Sequence, residues 1–219
     1  MNLTQKSYII ILIVFFCSCQ VFGQGIKFGV HFDPALVWFQ SNVNDIIPQK
    51  THLGFDLGMS VDYFFAQNYA FATGISLFNT SSTLKYASGT ILRTPTDNLQ
   101  VSPADDVKYR IQYVKIPIAL RFKTHRIGRM IYSANLGCDP LIRATSHIDF
   151  RDNKNIDANS EVKLFNLGWH FGGKAAYSLG GEAAIFGGLS FMNTFLDITT
   201  PTYDKITSKN LMLQLGVLF

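Results

Sequence analysis

The chain has 219 residues, a formal net charge of +4, 47% apolar residues and only 16% charged residues. An aromatic content of 14% with so low a charge excludes a disordered chain, and the scattered Lys and Arg residues argue against a nucleic-acid-binding protein. Beyond the N-terminus there is no near-continuous apolar run of about 18 residues, which argues against a bundle of membrane-spanning helices.

Residues 1–23 are typical of a secretory signal peptide. Lys6 supplies the positive charge, Tyr8–Phe16 is an uninterrupted apolar segment, and Gly23 occupies the last position of a cleavage site before Gln24. The apolar segment is too short to cross a bilayer as a helix. We therefore expect the segment to be removed during export.

Residues 24–219 are predicted to form one exported domain. Cleavage would remove two of the three cysteines and leave Cys138, so no intramolecular disulfide is expected. An alternative is lipidation at Cys19, for which the preceding residues 16–18 are a poor match.

Eight segments of this domain alternate apolar residues with polar or very small ones, which is the period of a β-strand. In one of them Phe55 and Leu57 lie on one face, and Asp56 and Gly58 lie on the other. Each segment has about 11–17 residues, whereas a tilted membrane strand needs about 9–11 and a soluble strand usually has about 5–6. The predicted strands are 26–40, 52–65, 69–80, 109–123, 129–144, 162–178, 182–196 and 209–219.

The connections between these strands alternate in length. Short links lie near 66–68, 124–128 and 179–181. The longer polar links are 41–51, 81–108, 145–161 and 197–208. Transmembrane β-barrels have short periplasmic turns and longer outer loops. The sequence therefore predicts an all-β fold, an eight-stranded antiparallel transmembrane up-and-down barrel, with both termini in the periplasm.

Aromatic residues are expected to form two rings at the membrane interfaces, because their rings have an apolar body and a polar edge. The short-turn ring would contain Tyr63, Tyr69, Phe122, Tyr132, Tyr177 and Phe219. The long-loop ring would contain Trp38, Phe78, Phe165 and Phe195.

The opposite face of the strands carries charged and small residues. In a barrel of eight strands this face is predicted to fill the lumen, which Asp56, Asp62, Lys115 and Arg121 would block. A soluble barrel is the alternative, and it would require the apolar face to point inward instead.

Pro117 lies inside a predicted strand and cannot donate a backbone hydrogen bond, so a bulge or a broken ladder is expected there. Tyr109, Ile111 and Tyr113 have odd numbers, whereas the apolar residues of 116–122 have even numbers. A shift of one residue near 113–115 would place both sets on the lipid face.

Five stretches carry a resemblance to a known family: Gly25–Val30, Asp62–Phe64, Tyr113–Pro117, Leu120–Lys123 and Leu215–Phe219. With them the chain resembles the outer-membrane β-barrel family common in Bacteroidota and often labelled PorT-like. The resemblance implies that the C-terminal strand ending at Phe219 is read by the barrel-assembly machinery. It also implies a link to a protein-secretion system, although many family members have no assigned role. Lys115 departs from the family, where Glu is frequent at that position.

No metal, cofactor or catalytic site is predicted. The five histidines, His31, His52, His125, His147 and His170, lack the spacing of a zinc site, and by parity the first and last face the lumen. Ser146, His147 and Asp149 lie in one outer loop but are adjacent on the chain, so they would point in opposite directions. Asp105 and Asp106 supply too few ligands for calcium.

The predicted function is that of a non-enzymatic structural or accessory protein of the outer membrane. Its partners would be the lipid bilayer, the assembly machinery and an envelope or secretion protein, and not a nucleic acid. The longest outer loop, 81–108, is the best candidate for partner contact, because loops on a rigid scaffold commonly carry binding functions. Two alternatives are a narrow channel and an outer-membrane hydrolase with its active site at the rim.

Overall fold

A computed structural model describes residues 25–42, 46–87, 90–93, 98–103, 105–200 and 205–219, and the predicted signal peptide lies outside them. The described residues form thirteen strands and contain no helix long and apolar enough to span a membrane. The strands are β1 (Ile26–Ser41), β2 (Ile46–Lys50), β3 (His52–Ala66), β4 (Tyr69–Tyr86), β5 (Thr90–Arg93), β6 (Asn98–Val101), β7 (Asp106–Lys115), β8 (Ile118–Lys123), β9 (Met130–Phe150), β10 (Asn153–Asp157), β11 (Phe165–Gly180), β12 (Ala183–Thr194) and β13 (Ile206–Leu218).

The wall of the molecule is a closed antiparallel barrel. Successive strands β1, β3, β4, β9, β11, β12 and β13 each pair with a neighbour, and β7 and β8 together fill one place between β4 and β9. The last strand pairs with the first, so that Val30 lies opposite Val217. The predicted eight-stranded up-and-down barrel is therefore confirmed.

The apolar positions of the strands lie on the outside of this wall. Leu57 is 46% exposed and Leu215 is 41% exposed, whereas Asp56, adjacent to Leu57, is fully buried in the lumen. Such an exterior is stable in lipid, where no water opposes the exposure of apolar side chains. The alternative of a soluble barrel fails, since it requires these leucines to be inside.

The aromatic ring predicted at the short-turn end lies on the outer surface as expected. Phe219 stacks on Phe28 there, with ring centroids 6.4 Å apart. At the long-loop end Phe165 and Phe195 are exposed, but the prediction for Phe78 was wrong. Its ring is buried inside the barrel, because even-numbered residues of β4 point inward.

The strand ladder is interrupted at Ile116 and Pro117, between β7 and β8, as the sequence predicts. The predicted register shift near residues 113–115 is wrong. Lys115 pairs with Ser76 and Ile118 pairs with Thr73, so the register on β4 is unchanged across the break.

The odd-numbered residues of β7 therefore all face the interior, where Tyr109, Ile111 and Tyr113 are buried. The residue that interrupts the register lies in β9, where Arg143 and Thr145 pair with consecutive residues of β7.

Four wall strands run further at the long-loop end than the sequence indicates. β4 continues to Tyr86 and β9 to Phe150, whereas β7 already begins at Asp106 and β13 at Ile206. β9 has 21 residues, about twice the number that a tilted strand needs to cross a bilayer. These strands therefore project beyond the lipid-facing belt at the long-loop end.

The projecting strands carry further structure within the segments that were predicted as loops. β2 pairs with the end of β4, β10 pairs with the end of β9, and β5 and β6 form a separate hairpin. We call the described residues of 41–52, 81–110, 145–164 and 195–208 the cap.

The interior of the cap is apolar, which the polar composition of the loops did not predict. Leu92 of the hairpin and Ile148 of β9 are buried in one apolar cluster that continues into the upper barrel. The outer loops and the upper part of the lumen therefore share one apolar core. Its other members include Val37, Phe39, Phe78, Leu84, Tyr109, Leu141, Val162, Met192 and Ile206.

Prediction: Leu213→Arg destabilises the barrel in lipid vesicles by about 2–4 kcal/mol, because it places a charge in the middle of the lipid-facing surface. Thr207→Arg is the matched control on the same face of β13, near the long-loop end, and should cost about 0–1 kcal/mol. Urea unfolding followed by tryptophan fluorescence measures both values. Equal losses for the two variants would contradict the assignment of this face to lipid.

Candidate functional site

The four charged residues predicted to block the lumen form two buried ion pairs. The Lys115 ammonium donates a hydrogen bond to Asp56, and the Arg121 guanidinium donates one to Asp62. Each pair reaches across β4, which lies between the two strands that supply the partners. This reach is possible because the inward positions of β4 between them carry small residues such as Ser76 and Ala72.

Parity also places further polar residues in the lumen that the sequence analysis did not single out. Asp33 accepts a hydrogen bond from the backbone N–H of Leu215, at 3.0 Å. The Oδ2 atom of Asp139 lies 2.8 Å from Nδ1 of His170. Both aspartates share a strand face with lumen residues, Asp33 with His31 and Asp139 with Asn135, so the same alternation would have identified them.

His31, Asp33 and Asp56 bring three potential metal-ligating atoms within 4.8 Å of one another. The Asp56 carboxylate, however, is already paired with the Lys115 ammonium, which repels a cation and has no lone pair to offer one. The donor set therefore suits a network of ion pairs better than a metal centre, and the predicted absence of a metal site stays a prediction.

The polar part of the lumen encloses a cavity of about 80 Å³, which His31, Asp139, His170 and Lys174 help to line. Towards the long-loop end the inward side chains become apolar and buried, beginning with Val37, Phe78 and Leu141. The interior thus has a charged layer that extends from the middle of the barrel to the short turns, and an apolar layer that joins the core of the cap.

The three outer-loop residues considered for hydrolysis do not converge. Ser146 is buried and its hydroxyl donates to the side chain of Asn159, at 3.0 Å. His147 follows on the opposite face of β9, and Asp149 is paired with Arg110. No Ser–His contact of the kind needed to activate a nucleophile occurs among them.

Ion pairs hold the outer surface of the cap together. Asp105 accepts hydrogen bonds from Arg151 and from the backbone N–H of Ser102, and these bonds lower the pKa of its carboxyl. Asp106 lies 3.5 Å from the Lys85 ammonium. The two acids considered for calcium are therefore engaged by separate cations.

Asp149 makes the best-defined of these contacts. Burial alone would raise the pKa of its carboxyl, but the N–H of Asn155 and the guanidinium of Arg110 outweigh burial and lower that pKa. The distances are 2.9 Å to the Asn155 nitrogen and 2.7 Å to the Arg110 nitrogen. The carboxylate thereby joins β7, β9 and β10 at the outer rim.

Comparison with known proteins agrees with this architecture. The family model described as "Outer membrane protein beta-barrel domain" matches residues 20–200. The chain belongs to this family. No curated protein sequence matches the chain.

Two solved structures share the fold. Neisserial surface protein A from Neisseria has 13% sequence identity and a TM-score of 0.50, and the match covers 89% of this chain and 98% of that one. The outer membrane protein OprG from Pseudomonas aeruginosa has 14% identity and a TM-score of 0.50, over 89% of this chain and 96% of that one. At these identities the likeness concerns the fold alone.

This outer-membrane β-barrel is thus located in the outer membrane, with its apolar exterior in contact with lipid. The general layout of such barrels puts the short turns in the periplasm and the long loops outside the cell. The charged layer of the lumen then lies toward the periplasm, and the cap faces the exterior.

Prediction: Lys115→Met destabilises the barrel by about 3–5 kcal/mol, because the buried Asp56 carboxylate loses its partner. The double variant Asp56→Leu/Lys115→Met should recover most of this loss. Lys85→Met removes the exposed pair with Asp106 and should cost about 0–1 kcal/mol. Urea unfolding in vesicles gives the three values, and a double variant as unstable as Lys115→Met would contradict the pairing.

Prediction: the difference in the free energy of unfolding between the wild type and Asp149→Asn depends on pH. Because the folded-state pKa of Asp149 lies below its ordinary value of 3.8, the wild type keeps its full advantage above that value. The advantage disappears as the pH falls through the lowered pKa. Asp152→Asn, in the exposed turn after β9, is the control for the removal of a carboxylate from the surface of the cap.

Proposed function

We propose that this barrel is a non-enzymatic, closed anchor that displays the cap to a partner outside the cell. The observation that supports it is the continuous apolar core that joins the upper lumen to the cap. Because the same side chains fill the barrel and hold the outer segments, the barrel gives the cap a rigid base.

The apolar layer also argues against the alternative of a narrow channel. A permeating ion or polar solute would have to pass buried side chains such as Phe78, Leu141 and Met192, which offer no hydrogen bonds. Below them the ion pairs of Lys115 and Arg121 occupy the lumen. Barrels with open channels commonly use about 16–18 strands.

The hairpin of β5 and β6 is the strongest candidate for the contact surface. The buried side chains of Leu92 and Val101 anchor the hairpin, whereas Ile91 of β5 is 61% exposed. Ile47 of β2 is also exposed at the same end. Exposed apolar side chains on a fixed scaffold are typical of surfaces that bind another protein.

The PorT-like resemblance supports a narrower proposal. The partner would be an envelope protein of a secretion system, and deletion of this barrel would then block export of the cargo of that system. The C-terminal strand would be bound by the barrel-assembly machinery, with the exposed ring of Phe219 as its terminal aromatic. Retention of export in a deletion strain would remove the secretion link but leave the closed anchor intact.

Prediction: the purified wild-type protein shows no single-channel conductance in planar bilayers, because the lumen is filled at two levels. A porin inserted under the same conditions provides the positive control. Correct insertion is checked by heat-modifiable gel migration, in which a folded barrel resists SDS until it is boiled. Stepwise conductance by the folded protein would contradict the closed anchor.

The partner itself can be located with a photo-crosslinking amino acid placed in cells at positions 47, 91 and 182. The first two lie in the cap, and the third lies in the short turn between β11 and β12. We expect one shared adduct from the cap positions and none from position 182. An adduct only at position 182, or at no position, would contradict display by the cap.

A further inference from the structure

A second site lies at the opposite end of the barrel from the cap. A cavity of about 50 Å³ opens beside the short turns and shares Arg121 and Lys174 with the lumen cavity. Five cationic side chains and two carboxylates line it, an excess of three positive charges. The cations are Lys27, Arg121, Lys123, Arg126 and Lys174, and the carboxylates are Asp62 and Glu182.

Lys174 is the unusual member of this group. Its side chain is 8% exposed, yet no hydrogen bond or ion pair connects its ammonium to any other residue that the structure describes. The ammonium lies 4.2 Å from the centre of the Phe186 ring, which attracts a cation but cannot accept a full charge-assisted hydrogen bond. Without a carboxylate in direct contact the charged form of this buried side chain is costly, so a bound anion would stabilise it.

The local backbone is built to hold this side chain. Lys174 pairs with Gly188 on β12, where a Cβ atom would collide with the Lys174 side chain at 2.6 Å. The ring of Phe186 lies over Gly216 of β13, where an added Cβ atom would collide with the ring. The two glycines therefore leave the space in which the ammonium and the ring meet.

Arg121 supplies a second free donor. One of its terminal nitrogens is bound to Asp62, but its Nε atom is buried without a hydrogen-bond acceptor among the described residues. Arg126 is exposed, donates a hydrogen bond to the hydroxyl of Ser178 at 3.1 Å and lines the same cavity. Donors at two depths thus line one cavity.

We propose that this cavity binds a phosphate group that enters from the periplasmic end of the barrel. A phosphate offers several acceptor oxygens and up to two negative charges, which match the free donors of Lys174 and Arg121 and the excess of positive charge. The cavity has room for one such group and not for a large ligand. The source is either a soluble phosphate compound or the headgroup of a neighbouring phospholipid.

The test is calorimetric titration of inorganic phosphate into the full-length barrel in maltoside micelles, which contain no phosphate. We expect saturable binding at one site and at least a tenfold weaker affinity for Lys174→Met. This variant should fold, since it removes an unpaired charge and keeps the length of the side chain. Lys209→Met, on the outer surface of β13, is the matched control and should bind like the wild type.

Arg126→Gln gives a second reading at the exposed mouth, where folding does not depend on the residue, and should weaken binding several-fold. Addition of phosphatidylglycerol to the micelles separates the two sources. If the lipid leaves the phosphate affinity of the wild type unchanged, the ligand is a soluble phosphate compound. If the lipid weakens that affinity, and Lys174→Met abolishes this competition, the ligand is the lipid headgroup. The absence of saturable binding to the wild type, or equal binding to Lys174→Met, would overturn the proposal.

Discussion

Closure of the sheet between β1 and β13 is the constraint on which the other features depend. In lipid an unpaired backbone N–H or C=O group has no water to bind, so a spanning sheet cannot keep an open edge. Once eight strands close, one face of every strand is in contact with lipid and the other surrounds an interior only as wide as its side chains. The composition of each face then follows from its surroundings.

The interior solves this packing problem in two ways at two heights. From the middle of the barrel to the short turns, ion pairs such as Lys115 with Asp56 fill the lumen, and small residues on β4 let the partners reach each other. Toward the outside, aromatic and aliphatic side chains replace them and continue without a break into the cap. The cap therefore depends on the barrel for its core, although most of its own sequence is polar.

The alternation of the sequence was sufficient to predict the strands, their number and the lipid face. It failed where a strand projects beyond the lipid, because there the outward face is polar and the inward face is apolar. At residues 109–113 the apolar side chains point inward, and the assumption of a polar lumen produced a one-residue shift on β7 that its pairing with β4 does not show. The extra strands of the cap were missed because their apolar runs are short and are separated by polar turns. They show no alternation over a long stretch of sequence.

The lumen residues show the same limit. Asp56 and Lys115 could be assigned to one face by parity, but parity does not reveal which charges meet across β4 and which stay alone. Lys174 lies on the same face of its strand as His170, and nothing in the local sequence distinguishes a paired ammonium from an unpaired one. That difference depends on contacts between strands far apart in the chain.

The two-level interior also separates the two surfaces at which the protein can act. Among the described residues, the apolar layer around Phe78 and Leu141 lies between the cap and the charged layer, so a ligand of the charged layer is expected to enter from the periplasmic end. A partner outside the cell can contact the cap but not Lys174. Because the layer is a packed core rather than a gate, changes in the cap and changes at the periplasmic cavity should act independently, as expected for sites without shared contacts.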